Sequence, residues 1–180
     1  MPDTIRSTAR NAGYLDIKMI PERRNKVKLL LNGEEKFPEL LQCMKEAKHH
    51  IHLEYYIYEE DTIGCAIIEL LISKAKEGVK VRFIYDDFGS PSIKKKLEKR
   101  MHEAGIEIYP FSKVHFYLLA NRINYRNHRK IVVIDGEIGY TGGMNVGQEY
   151  IDGGERFATW RDSHLRLTGQ AVAALEKLFA

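Results

Sequence analysis

Only two of the 180 residues are cysteine, Cys43 and Cys65. Both fall in segments with helical periodicity, and neither has a spacing that suggests metal ligation. That argues against a disulfide framework and for a reducing compartment or buried inert thiols. No apolar run approaches the roughly 18 to 20 residues of a membrane span, and the first residues lack the apolar core of a signal peptide. The chain by itself is therefore expected to be soluble. It has no internal repeat and no low-complexity tract. Net charge is only +3, from 28 Lys and Arg against 25 Asp and Glu, so any preference for anions has to come from where cations cluster.

What is present is the material of one folded core. Hydrophobic residues make up 44% and charged residues 29% of a chain whose length suits a single domain, since two halves would each be marginal. Residues 1–25 are polar and weakly periodic, a lead-in to a domain spanning 26–180. KVKLLLNG (26–33) reads as a short strand ending at an Asn32-Gly33 turn. FPELLQCMKEAKHH (37–50) reads as an amphipathic helix with Pro38 at its first helical position, and IHLEYYIY (51–58) as a β-branched and aromatic strand. The alternation continues with a helix over 61–78 closed by Gly78, a strand over 79–87, a helix opened by Ser90-Pro91 and closed by Gly105, and a strand over 106–111.

This pattern predicts an α/β fold with a mixed, largely parallel β-sheet flanked by helices on both faces. RKIVVID (129–135) and EIGYTGG (137–143) break the alternation: they are strands joined by Asp135-Gly136, a strong hairpin signal. TWRDSHLRLTG (159–169) reads as one more strand. QAVAALEKLFA (170–180) starts an apolar helix that reaches the last residue uncapped, as in a piece cut from a longer protein.

The segment from Asn124 to Asn145 carries the chemistry. Arg126, His128, Arg129 and Lys130 form a cationic cluster with no acid among them, at the mouth of the apolar IVVI. On a strand, His128 and Lys130 share one face and Arg129 takes the other. An imidazole beside a fixed ammonium suits attack on phosphorus and retention of an anionic substrate. A two-residue turn brings the next strand back, where Gly142 and Gly143 allow close backbone approach and Asn145 offers an amide donor for charge building on non-bridging oxygens.

His128-x-Lys130-x4-Asp135-x6-Gly142-Gly143-x-Asn145 resembles the HKD motif of the phospholipase D superfamily. Together with KHHIHLEYYIY, GVKVRFIYDDFGS and TWRDSHLRLTGQAV, it is similar to the first catalytic half of a bacterial cardiolipin synthase. The likeness covers nearly everything from Lys26 onward. It implies a phosphatidyltransferase acting through a phosphohistidine, making cardiolipin from two molecules of phosphatidylglycerol, with no metal or organic cofactor and no nucleic-acid partner. It implies His128 as nucleophile or general acid, Lys130, Asn145 and Gly143 at the phosphate, and Asp162 as the acid that orients the His128 imidazole. Asp135 enters the catalytic set because the motif includes it, although its place in the turn argues for structural support.

The likeness departs at two points. Gly143 stands where many members of the superfamily have serine. Only one motif is present where such synthases carry two, so a second motif is expected in cis, in a longer two-domain enzyme at the cytoplasmic side of the cell membrane, or in trans through a homodimer. The alternatives are a homodimeric phosphodiesterase or nuclease of the same superfamily and a non-catalytic module that binds anionic lipid.

Other features have plainer readings. His50 and His52 share a strand face near His49, but no carboxylate or cysteine set with recognisable ligand spacing accompanies them. Glu54 lies in an apolar strand and needs a partner, for which Arg82 is the candidate. Asp86 and Asp87 end their strand, where a ligand crevice or a capping role is expected. SIKKKLEKR (92–100) is a solvated helix face with a weak attraction to lipid headgroups, and HFYLLANRINYR (115–126) suits either core packing or a loop facing substrate and membrane.

Overall fold

The computed structural model describes residues 25–111, 126–154 and 158–179. The lead-in before Asn25 and all of HFYLLANRINYR except Arg126 lie outside the described residues. In chain order the elements are β1 (Lys26–Leu31), α1 (Asn32–Glu46), β2 (His50–Tyr55), α2 (Thr62–Lys76), β3 (Lys80–Asp86), α3 (Lys95–Glu103) and β4 (Glu107–Phe111). There follow β5 (Ile131–Ile134), β6 (Ile138–Gly142), α4 (Glu149–Asp152), β7 (Ser163–Thr168), α5 (Ala171–Glu176) and a 3-10 turn (Lys177–Phe179). No described helix is long and apolar enough to cross a membrane.

All seven strands join one sheet in the order β1-β7-β6-β5-β2-β3-β4. The mixed α/β class holds, but the sheet is not largely parallel. Only β2–β3 and β3–β4 pair parallel, while β2–β5, β5–β6, β6–β7 and β7–β1 pair antiparallel. The antiparallel share comes from the β5–β6 hairpin, from β7 beside it and from β1, which is not next to β2. It crosses instead to the far edge, where Val27 meets Leu167 and Leu29 meets Leu165. There Val27, Leu29 and Leu31 stay exposed on one face while Leu30 is buried on the other.

Helices do cover both faces. Odd positions of β2 (Ile51, Leu53, Tyr55) and β3 (Val81, Phe83, Tyr85) pack with Leu40 and Met44 of α1, Ile67, Ile68 and Leu71 of α2 and Met101 of α3 in the main core. On the opposite face Ile131 and Val133 of β5 meet Val172 of α5 and Phe179. The period of two sends alternate side chains to alternate layers, and each buried Leu, Ile or Phe contributes about 1.5 to 3 kcal/mol.

Local signals fix the ends of the elements. Asp61 caps α2 by accepting the Gly64 N–H at 3.0 Å. Gly78 and Gly105 follow α2 and α3 with φ of 93° and 86°, left-handed positions that favour glycine. Helix α1 begins at Asn32, earlier than expected, so that Pro38 lies inside it and not at its start. The Leu31 N–H donates to Glu35 Oε2 at 2.8 Å, which closes the first turn ahead of the proline. The β5–β6 connection is a hairpin with Asp135 and Gly136 both at positive φ (54° and 66°). It is one residue longer than two, because pairing resumes between Ile134 and Ile138.

Candidate active site

Strand β2 has β3 running parallel on one side and β5 antiparallel on the other. Its carboxyl end is thus the point where the sheet changes sense, the place where α/β sheets leave a crevice for ligands. The start of β5, the end of β6, the start of β7 and the end of β1 lie at this same end.

His128 and Lys130 lie just before β5, outside any regular element. The His128 imidazole is exposed and stacks on Tyr56, just past β2, with ring centroids 3.8 Å apart and planes 25° apart. Lys130 is 9% exposed; its Nζ donates to the His128 carbonyl at 2.7 Å and lies 5.5 Å from the centroid of the same Tyr56 ring. Tyr56 therefore contacts both motif residues, while His128 stays exposed. Burial holds the Lys130 ammonium below the usual lysine range, opposed by the negative charge of Asp162.

Asn145 is brought to the same end, with its amide already committed. Its Oδ1 accepts the Ile57 N–H at 3.1 Å and its Nδ2 donates to Tyr150 Oη at 2.9 Å, which leaves one amide proton. Burial pushes the Tyr150 phenol up to about 12. Asp162 opens β7 beside the Gly-Gly turn. Its backbone exchanges two hydrogen bonds with Asn32, N–H to Asn32 Oδ1 at 3.1 Å and carbonyl from Asn32 N–H at 3.0 Å. Its carboxylate accepts the Ser163 N–H at 2.6 Å, and among the described residues it makes no hydrogen bond to His128.

The two glycines are explained by this crowding. A Cβ on Gly142 would lie 2.6 Å from both the Ser163 carbonyl oxygen and His164 Nδ1, and one on Gly143 would collide with the Asp162 carboxylate. The absence of a side chain at Gly143 leaves the room that the Asp162 carboxylate occupies.

Asp135 stands at the other end of β5 from His128. Its carboxylate accepts the backbone N–H groups of Lys48, His49 and His50 at 2.8, 2.8 and 2.9 Å, clipping the turn to the start of β2. Partial burial works against the ionised form, but those three donors outweigh it and lower its pKa. A surface hollow of about 640 Å³ also lies at this end, lined in part by Ala47, His49, Ile134 and Asp135. The motif cations lie at the opposite end of the sheet.

Three neighbours of the motif were not singled out from sequence. One is Tyr56. The second is Lys36, which is 0% exposed on the buried stripe of α1, between Gly33 and Leu40. Its Nζ donates to the carbonyls of Met144 and Asn145 at 2.9 and 3.1 Å and lies over the Phe37 and Tyr55 rings. Burial holds its pKa well below the usual lysine value, Asp162 raises it and Lys130 lowers it further. A lysine at a core position of a helical stripe is a signal that sequence does contain. The third is His164, 0% exposed, with both ring nitrogens unbonded; burial and then the charges of Lys36 and Lys130 lower its pKa to about 2.

The lead-in to the motif is held from the other face. Glu54 pairs with Arg129 at 3.3 Å and accepts from Asn127 Nδ2, not from Arg82 as expected. Arg82 turns to Glu107 at 3.0 Å and to the Phe179 carbonyl, because its strand neighbour in register is Glu107. Asp86 is a turn cap, accepting the N–H groups of Phe88 and Gly89 at 3.0 and 2.9 Å, and it also meets Arg126 at 3.7 Å.

The family described as "Cardiolipin synthase, PLD-like domain" matches residues 40–176. Cardiolipin synthase 1 of Bacillus anthracis is 51% identical over 156 residues, 87% of this chain and 31% of that protein. Cardiolipin synthase 2 of Bacillus cereus is 48% identical over 167 residues, 93% of this chain and 32% of that protein. The chain thus spans about a third of the length of these curated relatives. The crystal structure of Nuc from Salmonella typhimurium, described as a phospholipase D family member, shares the fold at a TM-score of 0.61 and 15% identity, over 86% of this chain and 91% of that one. With the family match running from α1 to the end of α5 and relatives about half identical over most of its length, the chain belongs to the cardiolipin synthase PLD-like domain family.

Proposed function

We propose that this chain is one catalytic half of a phosphatidyltransferase that makes cardiolipin from two molecules of phosphatidylglycerol, its single motif completed by a second one in cis or by a second copy in trans. The observation that carries the reading is the exposed His128 imidazole held beside the Lys130 ammonium, in a chain about half identical to cardiolipin synthases. In the first step a histidine nitrogen attacks phosphorus, the P–N bond forms, the P–O bond to glycerol breaks, and the second histidine gives glycerol its proton. In the second step a hydroxyl of another phosphatidylglycerol loses a proton to that histidine and displaces the first, releasing cardiolipin. Lys130, the free proton of the Asn145 amide and the backbone at Gly143 receive the charge that builds on the non-bridging oxygens. Asp162 balances Lys130 and orients the imidazole in the completed site. His128 serves as nucleophile or as general acid, and its partner motif takes the other role.

The substrate lies in a bilayer, so the reactive end works against a membrane surface of anionic lipid, on the cytoplasmic side for the full-length protein. The test is His128→Ala in the full-length enzyme with phosphatidylglycerol vesicles. Loss of cardiolipin formation by at least about a thousandfold is expected; retained synthesis overturns the reading. A non-catalytic lipid-binding module would instead bind vesicles equally well with Lys130→Met and turn nothing over. Turnover of a phosphodiester by the 180-residue chain as a dimer in sedimentation would favour the homodimeric phosphodiesterase.

A further inference from the structure

A second cluster of side chains lies on the sheet face opposite the main core, at the amino end of β2. His50 and His52 project from that face, and α5 lays Glu176 across them. His50 Nε2 is 3.3 Å from Glu176 Oε2 and His52 Nδ1 is 2.8 Å from Glu176 Oε1. The two imidazole centroids are 4.6 Å apart, and one ligand atom from each of the three residues falls within 4.8 Å of the others. The carboxylate that sequence could not supply therefore comes from a helix more than a hundred residues away.

We propose that His50, His52 and Glu176 form a binding site for a divalent transition-metal ion of the zinc class, which braces α5 to β2. Alignment is the first reason. His52 Nδ1 is buried and has no hydrogen-bond partner by geometry, although a carboxylate oxygen lies 2.8 Å away. Two atoms that are close yet not aligned as donor and acceptor have the arrangement of two ligands converging on a third point. Spacing is the second: ligands at about 2.0 to 2.1 Å from a tetrahedral ion lie about 3.3 Å apart, the separation at which His50 Nε2 now hydrogen-bonds Glu176 Oε2, while His52 Nδ1, 2.8 Å from Glu176 Oε1, has to draw back by about half an ångström to seat the ion.

Chemistry is the third reason. Two neutral imidazoles and one carboxylate carry one negative charge and suit zinc, cobalt or nickel over magnesium or calcium, which take oxygen ligands. Side-chain exposures of 24%, 16% and 31% leave room for a water in the remaining position. The Phe179 ring stacks 5.3 Å from His52 and walls the site on its apolar side. Arg82 is the opposing cation, and its charge is taken up by Glu107 at 3.0 Å and the Phe179 carbonyl. The site is far from the reactive end and rests on no catalytic assignment.

The test uses the untagged 180-residue chain, stripped with a chelator. Cobalt is titrated for its ligand-field absorption, zinc by calorimetry, and melting is followed with and without zinc. One ion per chain is expected, with melting raised by about 5 °C at a hundredfold excess over Kd. Glu176→Gln, which keeps the size of the side chain, should weaken zinc binding at least about tenfold, and His52→Ala should abolish it, while His49→Ala binds as the parent does. A parent chain whose melting is the same in zinc and in chelator overturns the proposal, as does zinc affinity unchanged by Glu176→Gln in a variant with parental circular dichroism. If His52→Ala fails to fold, Glu176→Gln carries the test alone.

Discussion

The two halves of the sheet are built from different kinds of contact. In the parallel half, β2, β3 and β4 are joined by α2 and α3, and its interior is apolar: Leu53, Phe83, Ile68 and Leu71 are at most 1% exposed. In the antiparallel half, the core side of β5, β6 and β7 reaches its carboxyl-end rim through Lys130, Gly142, Gly143 and His164, with Lys36 of α1 pressed against them. The parallel half buries Glu54 and Asp86 with partners of opposite charge or backbone N–H groups, while the other buries two ammonium groups and an imidazole whose charged forms burial disfavours. Such an arrangement costs stability, as expected of a site kept for something other than folding. Tyr56, at the seam between the halves, directly follows the parallel strand β2 and stacks on the histidine of the antiparallel side.

The largest break in this contrast is expected at Lys36. Lys36→Met keeps the length of the side chain and removes the donor to the Met144 and Asn145 carbonyls. It also removes a buried charge, so the two effects on stability offset each other. Activity has no such offset, because the Asn145 backbone loses its anchor. Cardiolipin formation by the full-length enzyme should fall about 10- to 100-fold in kcat, with a melting temperature close to the parent's. A parental kcat would mean that the loop is fixed by the Ile57 and Tyr150 contacts of the Asn145 amide alone.

His164 gives the second test, and it is a pH experiment. Its folded pKa of about 2 lies below the unfolded value near 6.5, so the unfolded chain takes up the proton first as pH falls. Its contribution is constant above pH 6.5, and stability declines below it by up to about 1.4 kcal/mol per pH unit. His164→Leu removes this term. The stability difference between parent and variant, from urea unfolding at pH 7.5 and pH 5, should move by about 2 kcal/mol in favour of the variant at the lower pH. A difference independent of pH would show that the imidazole is hydrated in the native state.

What was legible in the sequence follows the same division. The parallel half was legible because its signals are local: the Gly78 and Gly105 caps, the period of two in VRFIY, and the period of 3.6 in α2 each need only neighbours in the chain. The hairpin at Asp135-Gly136 was legible for the same reason. The position of β1 was not, since pairing Val27 with Leu167 across the whole domain leaves no local trace. Pairing of Glu54 went astray because Arg82 is in register with both His52 and Glu107, and the choice between Glu107 and Glu54 depends on which face Arg129 takes. At the other end the spaced motif named His128, Lys130 and Asn145, whereas the Tyr56 contact is made only by folding and Lys36 left no more than its place on the apolar stripe of α1.

Asp135 tests whether the motif's far end is separable from its reactive end. Asp135→Ala leaves three backbone N–H groups at the start of β2 without an acceptor and puts a side chain less suited to positive φ at the first position of the turn. The cost should be about 1 to 2 kcal/mol, allowing for water reaching the exposed N–H groups of Lys48 and His49. Because the folded pKa is lowered, the carboxylate's contribution is present above the unfolded value near 3.9 and is lost as pH falls through the folded value. The gap between parent and variant in thermal melts should therefore narrow below pH 4. Turnover at neutral pH, measured below the melting range of the full-length variant, should stay within about threefold of the parent's. A larger loss would make Asp135 part of the chemistry.

The smallest effect is expected from the parallel half. Ile68→Val removes one buried methylene between α2 and the sheet, where Ile68 is 1% exposed and Leu71 and Phe83 are 0% exposed. Such a deletion costs about 0.5 to 1.5 kcal/mol, the lost transfer energy plus a small cavity that close-packed neighbours only partly fill. None of that strain has a rigid path to the motif. Ile68 lies in the main core with residues of α1, β2 and β3, and the groups that set His128 and Lys130 are Tyr56, beyond the end of β2, and the His128 carbonyl. Denaturant unfolding should show the stability loss with an unchanged m-value, and kcat and KM of the full-length enzyme should be parental. A kcat lowered severalfold by this one methylene would mean that packing in the parallel half sets the position of Tyr56, and that the two halves form a single mechanical unit.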